Sequence, residues 1–295
     1  MDFRGHLQTL LPSIAPSELP GVDSLLDLCA DASAVIVEHY QSADSRDLLR
    51  KKADSTPLTE ADLASHSLLS AGLETLTPGL PILSEESSPD AIADRRSWPA
   101  CWMLDPLDGT KEFLNRTGEF SINLALIVEG RPVFGIIFRP MRKDAMYGTV
   151  GDGAWHARQM DGDWRRREIT TRSSLGDPLV LFASKRHRNE KLQHCLNFLE
   201  SRFSVQRRNS GSALKFCELA AGEGDCYPRF SACSEWDVAA GEAIVEAAGG
   251  KLFAMDGMDL QYNRRDTLLS PHFLAVGNRR DPLWQELLEQ LRGLT

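Results

Sequence analysis

The chain has 295 residues, 42% hydrophobic and 25% charged, the balance of a soluble globular protein with a large core in one big domain or two abutting ones. A formal net charge of -9 argues against a nucleic-acid surface, which needs clustered Lys and Arg, but allows anion binding through bridging cations. Cys29, Cys101, Cys195, Cys217, Cys226 and Cys233 form no C-x-x-C pair and read as reduced, mostly buried thiols, not as a disulfide frame or zinc site. With no basic-then-apolar leader and no apolar run of bilayer length, a cytoplasmic location is expected.

Residues 1–20 carry three prolines and no sustained period, and read as a loosely attached lead-in. Val22, Leu25, Leu26, Cys29, Ala32, Ile36 and Tyr40 then mark one face of an amphipathic helix over 22–42. Its polar face is acidic, which suits packing on a sheet better than a membrane surface, so membrane contact is peripheral at most. The stretch from Lys51 to Asp62 leads into a second helix running toward Gly72. Thr59 and Asp62 fit the S/T-x-x-D/E capping pattern. Asp62 is thus a cap, a carboxylate near a metal site, or both. Pro78–Pro81 turns into a short strand, Ile82–Ser84, ending in Glu85 and Glu86. Paired acids suit a solvated loop, or a ligand set when they sit behind an apolar strand tip. Ser87–Ser97 is polar and reads as a surface loop.

The stretch Trp102–Asn115 (WMLDPLDGTKEFLN) stands apart. Its apolar run reads as a buried strand that ends at Asp105, because Pro106 restricts the residue before it and cannot serve a central ladder. Asp105 and Asp108, with the Leu107 carbonyl between them, offer hard oxygen donors of the kind magnesium takes. Gly109 frees the backbone where a helix can begin, and N–H groups at a helix start attract phosphate. An ordinary turn explains the same residue types.

Residues 121–139 read as two strands around a turn at Glu129-Gly130, and Asp144–Trp155 as further strand. Residues 158–174 are charged and read as a hairpin tip or exposed connection. A second α/β half follows, with a strand at Leu179–Phe182 and a helix face of Leu192, Cys195, Leu196 and Leu199. Ser210–Lys215 opens another helix, stopped near Gly222, whose start can hold an anion or simply be capped. Asp225–Phe230 is strand-like and carries Arg229. Asp237 begins a helix whose small residues, Val238–Ala248, suit close packing before Gly249-Gly250 close it. A strand at Phe273–Val276 and a helix at Pro282–Leu291 end the pattern.

Glu85, Asp105, Asp108 and Asp237 each fall at a strand end or helix start, where they can converge on one edge of a layered core. Acids gathered in this way repel one another unless cations bind them. Asp62, Glu85-Glu86, Asp105-Pro-Leu-Asp-Gly-Thr110 and Trp236-Asp237, then Gly249-Gly250 after eleven residues, occur in this order. That order resembles the inositol monophosphatase superfamily of magnesium-dependent, lithium-sensitive phosphatases. The stretches Lys52–Asp62, Gly211–Cys217 and Tyr227–Phe230 resemble its CysQ-type 3'(2'),5'-bisphosphate nucleotidase branch.

The resemblance implies a layered αβαβα sandwich of the inositol-monophosphatase and fructose-bisphosphatase type, an α+β or α/β architecture. The expected division is a lead-in (1–20), an N-terminal half with the metal site (21–175) and a C-terminal half with nucleoside contacts (176–295). The halves form one unit with the site between them. The implied reaction removes the 3'-phosphate of adenosine 3',5'-bisphosphate, a by-product of sulfate assimilation, leaving AMP. Two or three magnesium ions serve it, with lithium as inhibitor. The implied metal ligands are Glu85, Asp105, Asp108, Asp237 and the Leu107 carbonyl. Gly109 and Thr110 hold the scissile phosphate. Thr110, oriented by Asp62, acts with Glu85 to position and deprotonate a metal-bound water. Ser212, Lys215 and Arg229 lie along the nucleoside and second phosphate. His187 matches a family histidine in a segment that here reads Ser184-Lys-Arg-His187. For His187 the plainer alternative is a satisfied or solvent-facing side chain, and for Lys215 and Arg229 a surface charge. An inositol or sugar phosphatase shares the same catalytic residues, and a non-catalytic metal or nucleotide sensor shares the same fold.

Overall fold

The structure, a computed structural model, describes residues 20–42, 50–51, 57–183 and 190–292, together with Gly5, Gln8 and Thr9. The chain begins with α1 (Val22–Gln41), two short paired strands, β1 (Arg50–Lys51) and β2 (Pro57–Leu58), and α2 (Glu60–Leu76). Next come β3 (Ile82–Ser84), β4 (Ala100–Asp108), α3 (Thr110–Leu114), β5 (Ser121–Val128) and β6 (Arg131–Arg139). The antiparallel run continues with β7 (Asp144–Thr149), β8 (Gly153–Met160) and β9 (Asp163–Ile169). The second part holds β10 (Leu179–Ala183), α4 (Glu190–Glu200), β11 (Val205–Asn209), α5 (Leu214–Ala220) and β12 (Cys226–Arg229). It closes with α6 (Ala239–Ala247), β13 (Lys251–Ala254), β14 (Phe273–Val276) and α7 (Leu283–Arg292).

Strands β3 to β9 form a seven-stranded sheet in sequence order, parallel only between β3 and β4. The other sheet has the order β11-β10-β12-β14-β13, with β10 parallel to both its neighbours. Strand alternation sorts the apolar side chains. Trp102, Leu104, Ile122, Leu124, Phe134 and Ile136 point to the side covered by α1 and α2, where Leu25, Leu26, Leu69 and Leu73 meet them. Cys101, Met103, Ala125, Ile137 and Met146 point the other way, into a core shared with α5, α6 and the inner face of the second sheet. The outer face of that sheet packs on α4 and α7. The layers therefore run αβαβα, as expected.

The helix of small residues packs as its composition suggests. A Cβ at Gly135 on β6 would meet the Ala240 carbonyl oxygen at 2.5 Å, so α6 lies directly on the strand. All six cysteines are free and buried.

Two expectations need correction, and two strands went unanticipated. Strand β4 does not end at Asp105 but runs through Pro106 to Asp108. Its register on β5 shifts, from Asp105 opposite Asn123 to Asp108 opposite Ser121. Three steps on one strand face two on the other, a bulge in which the missing proline N–H costs no ladder bond. Residues 158–169 form the end of a hairpin, the first of the two expected readings, with β8 and β9 paired around a turn at Asp161-Gly162. The loop 87–97 is not wholly superficial, since Arg95 is buried and donates to Asn263 Oδ1 and to the Arg265 and Asp266 carbonyls. Strands β11 and β13 were not anticipated, because β11 is polar and β13 is only four residues long.

Candidate active site

Strand β4 delivers Asp105 and Asp108 at its bulged end, and Asp237 arrives on a 3-10 turn (Glu235–Asp237) just ahead of α6. One carboxylate oxygen from each of these three residues lies within 4.8 Å of the others. Asp105 is fully buried, and burial, followed by the charges of Glu85, Asp108, Asp237 and Asp62, holds its carboxyl well above the usual range. Asp237 is pushed up to about 7 by burial and by Asp108, against the opposing pull of the Ser234 N–H, which donates to its Oδ2 at 2.9 Å. Such a trio favours protons or a cation. The donors are hard oxygens, so the set fits magnesium rather than a softer metal.

Glu85 follows the tip of β3, its N–H bonded to the Leu104 carbonyl at 3.0 Å. Its carboxylate lies outside the close trio, yet it is the strongest single charge acting on Asp105. Gly109 takes φ +94°, a left-handed value that glycine adopts without strain, and this swings the chain from β4 into α3. Thr110 opens that helix. Its Oγ1 lies 3.4 Å from Asp62 Oδ1 and 3.5 Å from the Leu107 carbonyl.

Asp62 serves two partners at once. Its Oδ2 accepts from the Thr59 N–H at 2.8 Å and from the Thr59 hydroxyl, completing a capping box on α2, while Oδ1 faces Thr110. Burial, outweighing these bonds and aided by Glu86 and Glu85, raises its carboxyl to about 6.

A cavity of about 190 Å³ opens beside the trio, lined by Asp108, Gly109, Ser212, Lys215, Arg229 and Asp237 among others. Lys215 is no surface charge. It is buried, its Nζ donates to the Ser210 and Ser212 carbonyls at 3.0 and 2.7 Å, and burial with the nearby Arg229 lowers it to about 8. Arg229 donates to the Ser231 carbonyl at 3.2 Å and to the Tyr227 hydroxyl at 3.2 Å. Ser212 sits against the acids, its Oγ 2.5 Å from Asp108 Oδ2. The Ala213 N–H reaches the same oxygen at 2.6 Å. His187 lies outside the described residues.

Sequence reasoning missed the aromatic wall. Phe216, Tyr227 and Phe273 line the cavity and pack on one another with ring centroids 5.3 to 5.8 Å apart. Lys111 at its rim was also missed, as was Cys233. Tyr227 lies within the Tyr227–Phe230 stretch, but nothing local marks Phe216 and Phe273 as its partners.

Residues 21–292 match the Inositol monophosphatase family. The chain is 40% identical over 252 residues to the 3'(2'),5'-bisphosphate nucleotidase CysQ of Salmonella typhimurium, an alignment covering 85% of this chain and 98% of the relative. Identity to CysQ of Escherichia coli strain K12 is 38% with the same coverage. Among solved structures, CysQ from Bacteroides thetaiotaomicron, itself described as a bacterial member of the inositol monophosphatase family, is similar at a TM-score of 0.76 and 34% identity. That match covers 88% of this chain and 98% of the other. An inositol monophosphatase from Anabaena shares the fold, with a TM-score of 0.64 at 24% identity over 92% of this chain and 94% of its own. On the extent of these matches and the shared layering, the chain belongs to the inositol monophosphatase family.

Proposed function

We propose that this protein is a magnesium-dependent 3'(2'),5'-bisphosphate nucleotidase that hydrolyses the 3'-phosphate of adenosine 3',5'-bisphosphate to give AMP and phosphate. The observation that carries the substrate is the likeness to relatives named for that activity, at up to 40% identity over 85% of the chain. The acid trio and its adjoining cavity carry the reaction type. Removing this by-product of sulfate assimilation would be its cellular task.

In this reading Asp105, Asp108, Asp237, Glu85 and the Leu107 carbonyl hold two or three magnesium ions. When bound there, magnesium supplies Lewis acidity, neutralising phosphate charge and lowering the pKa of water. The remaining work falls to the chain. Asp62 accepts the Thr110 hydroxyl hydrogen, which turns the Thr110 lone pairs toward the attacking water, and Glu85 takes the proton that water loses. Gly109 and Thr110 offer N–H groups to the scissile phosphate. Ser212, Lys215 and Arg229 face the nucleoside and second phosphate, with His187 assigned to that end by resemblance. The aromatic wall of Phe216, Tyr227 and Phe273 gives the same end of the cavity an apolar side. The two halves, 21–175 and 176–295, then act as one unit, because the cavity takes residues from both.

A substrate panel with adenosine 3',5'-bisphosphate, 5'-AMP and inositol 1-phosphate, with and without magnesium, tests the proposal. Fast magnesium-dependent phosphate release from the bisphosphate, blocked by lithium, is expected. Release from inositol 1-phosphate at an equal or greater rate would overturn the substrate. Nucleotide binding with no release under any condition would point to a sensor instead.

A further inference from the structure

The hydrogen bonds behind Asp108 lead away from the acid trio and into strand β5. Ser121 stands opposite Asp108 in the ladder, and Asn123 stands opposite Asp105. Both side chains are buried, Ser121 completely. Ser121 Oγ lies 2.7 Å from Ser212 Oγ and 2.9 Å from Asn123 Oδ1. Ser212 Oγ in turn lies 2.5 Å from Asp108 Oδ2, which Asn123 Nδ2 also approaches at 3.4 Å.

Ser212 is held from several sides. Its backbone takes φ +48°, a left-handed value that a non-glycine residue keeps only where its surroundings enforce it. Its hydroxyl faces Ser121 and Asp108, and its carbonyl accepts from Lys215 Nζ at 2.7 Å. The segment that presents Lys215 to the cavity is therefore tied, through one serine, to the wall that carries Asp108.

The tie holds fewer hydroxyl hydrogens than oxygen–oxygen contacts. Ser121–Asn123 Oδ1, Ser121–Ser212 and Ser212–Asp108 make three oxygen–oxygen contacts, but the two hydroxyls own only one hydrogen each. Two settings follow. Either Ser212 donates to Asp108, or it donates to Ser121 and leaves one lone pair of Asp108 Oδ2 free for a cation while the Ala213 N–H keeps the other.

We propose that Ser121, supported by Asn123, is a positioning residue that couples cation binding at Asp108 to the placement of the Ser212–Lys215 segment. It touches neither substrate nor reacting atoms, and it acts by giving the Ser212 hydroxyl an alternative acceptor. This rests on the reading of Asp108 as a metal ligand.

The test is calorimetric and does not require turnover. Magnesium is titrated into wild type, Ser121→Ala and Ser121→Thr, first alone and then with AMP present. Ser121→Ala is expected to weaken magnesium binding by about 10-fold, in the range found when a partner supporting a ligand is removed. The factor by which magnesium tightens AMP binding should fall toward one, and Ser121→Thr, which keeps the hydroxyl, should restore both. If Ser121→Ala does not fold, Ser121→Cys, which keeps the volume but donates weakly, carries the same expectation. Wild-type magnesium affinity and wild-type coupling in the Ala or Cys variant would overturn the relay. A wild-type protein that binds no magnesium would instead remove the metal reading itself, and the relay with it.

Discussion

Single side chains at this site carry more than one duty. Asp108 faces the other two acids while its Oδ2 accepts from Ser212 and the Ala213 N–H, so its charge and its orientation are separable. Asp108→Asn keeps the size and most hydrogen-bonding capacity but removes the anionic ligand. Loss of a residue that merely supports a ligand costs about 10–100-fold, so loss of the ligand should lower phosphate release by more than about 100-fold. Circular dichroism should show the fold intact. Lys215 offers a second residue-scale prediction. Burial and Arg229 bring its ammonium down to about 8, so it is charged below that pH and neutral above it. The KM for the bisphosphate should therefore rise as pH passes about 8. Lys215→Met should show a high KM with that inflection gone, as pH-dependent initial rates would reveal.

At the scale of elements, the site depends on how closely α6 can lie on the seven-stranded sheet. Asp237 reaches the trio because the turn ahead of α6 is anchored by the Ser234–Asp237 capping box, and because α6 sets Ala240 directly against Gly135 of β6. Gly135→Ala places a methyl group 2.5 Å from a backbone carbonyl, a clash that no side-chain rotation relieves. Overpacking of this kind costs about 1–3 kcal/mol. Thermal unfolding should report that loss, and magnesium affinity should fall with it, since the helix must lift and carry Asp237 outward. A variant with unchanged unfolding temperature would show that the helix and sheet have slack. The bulge at Pro106 has a comparable role on the other side, turning Asp105 and Asp108 toward one site instead of opposite faces of the sheet.

For the molecule as a whole, the acid trio is a liability without a counter-charge. Burial raises both Asp105 and Asp237, Asp237 to about 7, so protons and cations compete for the same oxygens. Magnesium should raise the unfolding temperature, by an amount corresponding to about 2.7 kcal/mol when the ion is at 100 times its dissociation constant. As binding requires deprotonated ligands, the increase should be larger at about pH 8 than at about pH 6. A chelator should reverse it. Scanning calorimetry in magnesium at the two pH values checks both sign and trend, and an increase that is greater at the lower pH would count against these acids as the ligands. Among the described residues, no helix is long and apolar enough to cross a membrane.

Much of this was legible in the chain alone, because local chemistry leaves local marks. Asp105-Pro-Leu-Asp-Gly-Thr110 announces hard oxygen donors beside a backbone turn, and Thr59 with Asp62 announces a capped helix. The apolar run along Leu124–Val128 before Glu129-Gly130 announces a strand and a turn, and the strand proves buried on both faces. Other features depended on partners far apart in sequence. Proline does end most central strands, and only pairing with β5 reveals that Pro106 sits in a bulge. Arg95 looks like a loop charge until Asn263, 168 positions later, accepts from it. Phe216, Tyr227 and Phe273 become a wall only when α5 and two strands meet. Residue types and short spacings determined which groups could bind a cation and a phosphate. Tertiary structure alone decided which of them stand together, because burial and mutual charge are properties of neighbours that the chain order does not name.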